Sequence, residues 1–244
     1  MRPASGGVIW TIAGIPVHIA PSWFLIVLFV SWSLATGYFP SRYPGFPPFT
    51  YAGMGILAAL LLFTCVLLHE LGHALTARRF GVRVLGMTLF LFGGVAQIAN
   101  DPKTPLVEFL IALAGPAVSG LLAVTCFFAA GAMPVMHEFQ LIVVAILRYL
   151  AAINLGLILF NLLPGFPLDG GRIFRAAVWG ITGNLAGATR MASAIGSVLG
   201  YGLIGLGVWS MIRGSGFHGL WYVLLGIFLR NAASASYRAH GGHS

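Results

Sequence analysis

The sequence predicts an all-α polytopic membrane protein of about six transmembrane helices, with a small interfacial β-sheet drawn from the N-terminus and from the segment after the second helix. Three observations carry this reading. Apolar residues fill 59% of the 244 positions and charged residues only 7%, where a soluble domain carries about a quarter charged. Apolar runs of the length that crosses a bilayer, about 20 residues, recur at 21–38, 54–79, 105–131, 139–162, 191–212 and 217–235. Between the runs, β-branched and aromatic stretches at 6–13 (GGVIWTIA), 15–20 (IPVHIA), 82–91 (VRVLGMTLFL) and 94–99 (GVAQIA) are broken by Gly14, Pro16 and the Gly93–Gly94 pair, a pattern of short strands. A sheet with free edges cannot face acyl chains, so these strands belong at the cytoplasmic interface or against the helices.

The remaining connections are a Pro/aromatic-rich loop at 39–50, a short link at 132–138 and a Pro/Gly-rich segment at 163–190. No repeat and no independent soluble domain is visible, so residues 1–244 read as one membrane-embedded domain. Arg2 is followed by a Gly/Pro-interrupted run and then by a long apolar segment without a small-residue cleavage pattern, which predicts that the first span stays in the mature protein. Cys65 and Cys126 lie inside apolar runs and read as small core hydrophobes.

Thirteen basic residues against five acidic ones give a net charge of +8. The basic residues sit at the ends of apolar runs and form no contiguous patch, which excludes a nucleic-acid partner and points to orientation and anionic-lipid contact. With a cytoplasmic N-terminus, the inner segments carry Arg2, Arg78, Arg79, Arg83, Lys103, Arg172, Arg175, Arg190, Arg230 and Arg238, and the outer segments only Arg42 and Arg213. This bias predicts a multi-pass protein of the cell membrane with both termini cytoplasmic. Arg148, inside the fourth run, fits neither side and is expected to snorkel or to face protein.

The strongest local signal is His69-Glu70-Leu71-Gly72-His73 inside the apolar run AALLLFTCVLLHELGHALTARRF. On a helix, His69 and His73 stand one turn apart on one face, within reach of a single tetrahedral ion, and Glu70 lies beside them where it can reach a metal-bound water. Protonatable groups inside a span mark function. A catalytic zinc takes a third protein ligand. Candidates are Asp101, Glu108, Glu138, His18, His137, His218, His240 and His243, and Asp169 in NLLPGFPLDGGR, where two prolines and a Gly-Gly pair break the helix and let the chain turn back. Gly115-Pro116 reads as a kink or close helix contact, and Gly196 with Gly200 as packing positions.

These motifs resemble the site-2 proteases, intramembrane zinc metalloproteases of peptidase family M50. The resemblance covers GIPVHIAPSW at 14–23, HELGH at 69–73, GGVAQI at 93–98, GPAVSG at 115–120 and NLLPGFPLDGGR at 161–172. It implies one Zn2+ per chain held by His69, His73 and Asp169, Glu70 as general base, and Asn161 near the site as an aid to substrate or transition-state binding. It also implies hydrolysis of peptide bonds within or near the transmembrane segments of single-span proteins, such as anti-sigma factors, membrane-tethered regulators or remnant signal peptides. No PDZ-like insert stands between the spans. One branch of the family carries tandem CBS domains after the last span, and an end at YRAHGGHS is compatible with a truncation there.

A helical peptide bond is shielded by its own hydrogen bonding, so a substrate must unwind before it is cut. The edge of the 82–99 strands either offers the unwound segment a partner by strand addition or is purely structural. The rival classes are a metal transporter, which would not need Glu70 beside the first histidine and would place more carboxylates along a path, and a non-hydrolytic scaffold.

Overall fold

The structure, a computed structural model, describes residues 8–91, 93–214 and 216–240. Arg2, the first two positions of the expected 6–13 strand and His243 lie outside them, as do the side chains of His218 and His240. The elements in order are β1 (Val8–Ile12), β2 (Ile15–Ile19), α1 (Pro21–Arg42), α2 (Pro48–Arg79), β3 (Val84–Phe90), β4 (Gly93–Ile98), α3 (Pro105–Ala132), α4 (Glu138–Asn161), α5 (Asp169–Thr182), α6 (Leu185–Ile212) and α7 (Gly216–His240). The helix α1 passes through a π-helical turn at Leu34–Tyr38.

Five of these helices, α1, α2, α3, α4 and α6, are long and apolar enough to cross a membrane. Their outward faces carry large apolar side chains such as Phe24, Leu28, Trp32, Leu121, Phe127 and Leu159, the arrangement expected where lipid rather than water is the neighbour. The expected run 217–235 does form a helix, α7, but α7 is not among the five.

One further expectation is corrected. Residues 39–50 are partly helical rather than a loop: Phe39–Arg42 continues α1 after its π-helical turn, and Pro47 and Pro48 stand just before and at the start of α2, where a missing N–H costs nothing. In the Pro/Gly-rich segment 163–190 the chain turns at 162–168, as the prolines imply, and then forms α5, which ends at Gly183 in the left-handed conformation. Asn184 caps the next helix by accepting from the Gly187 amide at 2.8 Å, so α6 starts at Leu185 rather than 191.

The chain divides into two compact units, one built from residues up to 101 with 117–158, the other from 102–116 with 159 onward. In the first unit the sheet runs β1-β2-β3-β4 with antiparallel, parallel and antiparallel neighbours, so β1 and β4 are its edges. Ile15, Val17 and Met87 bury one face of the sheet against Ala74 of α2. Arg78 donates to the Ala13 carbonyl in the β1–β2 turn, tying the hairpin to the end of α2. A second core packs Leu34 and Phe39 of α1 with Tyr51, Met54, Ala58 and Cys65 of α2 and Ala145, Tyr149 and Leu150 of α4. Arg148 of α4 lines an apolar furrow with Val124, Phe127, Phe128 and Leu155.

In the second unit, α6 and α7 pack closely where glycines face backbone: a side chain at Gly200 would meet Gly226 and Arg230, and Gly196 lies against Phe166. The expected packing role of Gly196 and Gly200 is met. Both cysteines are free thiols.

Candidate metal centre

Helix α2 is 32 residues long, about 48 Å at 1.5 Å per residue, and an unbroken apolar sequence keeps it regular through His69-Glu70-Leu71-Gly72-His73. It ends in a Schellman turn, with the Gly81 amide donating to Arg78 O at 3.0 Å and the Val82 amide to Ala77 O at 2.9 Å. Gly81 takes φ +75°, which favours glycine there. The chain therefore leaves the helix two turns after His73 and returns at once as β3, bringing the sheet alongside the histidines.

His69 and His73 are both buried, and their Nε2 atoms face each other at 3.2 Å. Two imidazole nitrogens bound to one tetrahedral zinc at about 2.0–2.1 Å would be about 3.3 Å apart. The spacing thus fits a shared ion. Two lone pairs so placed repel unless a proton or a cation lies between them.

His69 Nδ1 lies 2.9 Å from the Ser119 hydroxyl of α3, a fully buried side chain. In the tautomer that donates from Nδ1 to Ser119, the Nε2 lone pair points toward His73, the arrangement a metal ligand requires. Ser119 was not singled out by sequence reasoning. It sits in the GPAVSG motif, yet nothing local says that its hydroxyl meets a histidine 50 positions earlier.

Glu70 is half-buried beside the pair, and β4 crosses it closely: a Cβ built on Gly94 would lie 2.5 Å from Glu70 Cγ and 3.2 Å from its carboxyl carbon. Only glycine at 94 leaves the Glu70 side chain where it is. The Gly93–Gly94 pair, expected as a strand breaker, is in β4, and Gly94 gives the carboxylate room.

The remaining site residues lie in the second unit. Asn161 is the last residue of α4 and Asp169 the first of α5, at the two ends of the 162–168 turn. Asp169 thereby stands in the first turn of α5. Glu108, one of the alternative third ligands, is occupied otherwise: Arg175 Nε donates to its Oε1 at 2.7 Å. His137 and Glu138 are exposed at the start of α4, Asp101 is exposed before α3, and His18 pairs opposite Thr88 in β2.

A model of the family described as peptidase family M50 matches residues 57–203, which takes in HELGH, GPAVSG and the Asp169 turn. The chain belongs to peptidase family M50. Among family relatives, a Synechocystis protein named as a zinc metalloprotease is 40% identical over 225 residues, covering 92% of this chain and 58% of its own. The zinc metalloprotease Rip3 of Mycobacterium tuberculosis, so named, is 41% identical over 223 residues, covering 91% and 56%. The chain therefore spans less than three fifths of the length of these curated relatives. Among solved structures, the site-2 protease from Methanocaldococcus jannaschii aligns with a TM-score of 0.66 and 26% identity, over 96% of this chain and 95% of that one. Family M50 membership and the five apolar helices together make this an integral membrane protein.

Proposed function

We propose that this chain is the membrane-embedded catalytic domain of a zinc endopeptidase that cuts single-span membrane proteins within or near their transmembrane segments. The observation that carries the reading is the meeting of His69 and His73 through their Nε2 atoms at 3.2 Å, beside Glu70, inside an apolar helix long enough to span a bilayer. His69, His73 and Asp169 would hold one zinc ion, and two imidazoles with one carboxylate are a donor set suited to it.

When bound, zinc acidifies a water molecule toward neutral pKa and polarises a carbonyl oxygen. Glu70 takes a proton and later delivers one to the leaving amine. The Asn161 amide donates to the developing oxyanion, a contribution of about 3 kcal/mol by analogy with soluble proteases. Ser119 holds the His69 ring, and Gly94 leaves Glu70 its place. The edge strand β4, which lies against Glu70, offers an unwound substrate backbone partners by strand addition.

Glu70→Gln tests this directly. It should lower the rate of cleavage of a membrane-embedded reporter by about 10²–10⁴-fold while zinc content stays at one per chain. Cleavage at the wild-type rate would remove Glu70 as base, and a metal-loaded chain inactive in both forms would favour transport or a scaffold. Natural substrates are sought among short single-span proteins that accumulate in membranes of Glu70→Gln cells.

The orientation with both termini cytoplasmic rests on the distribution of basic residues. Single cysteines placed at 45 and 135 should label from outside, and those at 101 and 185 should be protected. The reverse pattern would invert the topology.

A further inference from the structure

Among the described residues, Glu108 and Arg175 are the only Asp, Glu, Lys or Arg side chains that are buried, at 0% and 5% exposure. Arg175 donates through Nε and through Nη2 to the same oxygen, Glu108 Oε1, and Oε2 has no hydrogen-bond partner. Taking both charges out of water is costly, and apolar residues of similar volume often serve packing as well. What apolar residues would not supply is a fixed guanidinium plane. While its N–H edge meets Glu108, the Arg175 guanidinium carbon lies over the Phe166 ring, 5.1 Å from its centroid.

Phe166 is the middle of the turn that joins α4 to α5. Its amide donates to the Ala192 carbonyl at 3.1 Å, and its ring packs with Ala192, Ala233 and Phe174. Around it the backbone is folded on itself: a side chain at Gly171 would strike Gly165 and Phe166, and one at Gly196 would strike the Phe166 carbonyl. Asp169 follows Phe166 by three residues and precedes Arg175 by six on α5. Arg175 therefore reaches back from the helix that Asp169 begins to the turn that delivers it. Glu108 anchors the arrangement from the first turn of α3, where its own amide donates to Thr104 O at 3.1 Å and the Val107 amide to Thr104 Oγ1 at 3.3 Å.

We propose that Glu108 and Arg175 are positioning residues: the buried pair fixes the guanidinium, the guanidinium fixes the Phe166 ring, and the ring fixes the turn that sets the Asp169 carboxylate for metal binding. This rests on the reading of Asp169 as a zinc ligand. Arg is required because only a planar guanidinium can bind a carboxylate through two N–H groups and stack on a ring at once.

The test uses the full chain in detergent, with zinc affinity measured by chelator competition, thermal unfolding of the metal-free protein, and the visible absorption of the cobalt-substituted form as a report of ligand geometry. Asp169→Ala, the control, should lose at least a hundredfold in zinc affinity. The double variant Glu108→Gln/Arg175→Met should unfold near the wild-type temperature, yet lose about tenfold in zinc affinity, the scale on which groups that orient metal ligands act, and shift the cobalt bands. Phe166→Leu, which keeps the ion pair and removes the stacked ring, should lose several-fold. If Asp169→Ala is defective while Phe166→Leu binds zinc and cobalt as wild type does, the positioning role is overturned, and this holds even if the double variant fails to fold. If Asp169→Ala itself binds zinc normally, the ligand reading falls and the proposal with it.

Discussion

The helix that carries His69, Glu70 and His73 and the turn that carries Asp169 are built in opposite ways. In α2 the geometry follows from regularity: two histidines four positions apart on any helix face the same way, and the apolar sequence on both sides only has to keep the helix intact. The 162–169 turn has no regular element to rely on. Its shape is held by backbone packed on glycines 165, 171 and 196, by the Phe166 amide on Ala192, and by a buried ion pair whose members lie 67 positions apart. One half of the proposed centre is thus encoded locally and the other through distant partners. The first should tolerate changes around it that leave the helix intact, and the second should not.

Gly94→Ala probes the locally encoded half at the one place where it depends on a neighbour. The added methyl would force the Glu70 side chain aside, since a Cβ there falls 2.5 Å from Glu70 Cγ. Turnover should drop by about 10²-fold, the usual consequence of moving a reacting group by about 1 Å, with zinc content unchanged. Equal loss of zinc and turnover would show that the sheet supports the ligands rather than aiming the base. Ser119→Ala is the smaller perturbation. Removing the partner of His69 Nδ1 should weaken zinc binding by about tenfold without changing the helix, as read by chelator competition and circular dichroism. Unaltered affinity would mean that the imidazole is oriented by packing alone.

The same contrast explains what was legible in the sequence. The spans, the four strands and the HELGH face were visible because each depends on neighbours within a few positions. Helix α5 was not. Its buried side is Gly170, Gly171, Arg175 and Ala176, and two glycines and a charge do not read as the apolar stripe of a helix. Pro47 and Pro48 read as loop punctuation, although they start α2. Glu108 has the chemistry of a metal ligand, and only the fold shows that Arg175 claims it. Arg175 itself counts by pattern only as one of the basic residues of the inner segments, and its burial shows only in the fold. Ser119 is one hydroxyl among many until α3 is placed beside α2.

Both halves are proposed to serve one ion. A crystal of the zinc-loaded chain, with anomalous differences collected on either side of the zinc edge, tests this most directly. One peak per chain is expected, with His69 Nε2, His73 Nε2 and an Asp169 carboxylate oxygen each about 2.0–2.2 Å away. A peak whose third protein ligand is any other residue, or no peak beside the two histidines, would contradict it.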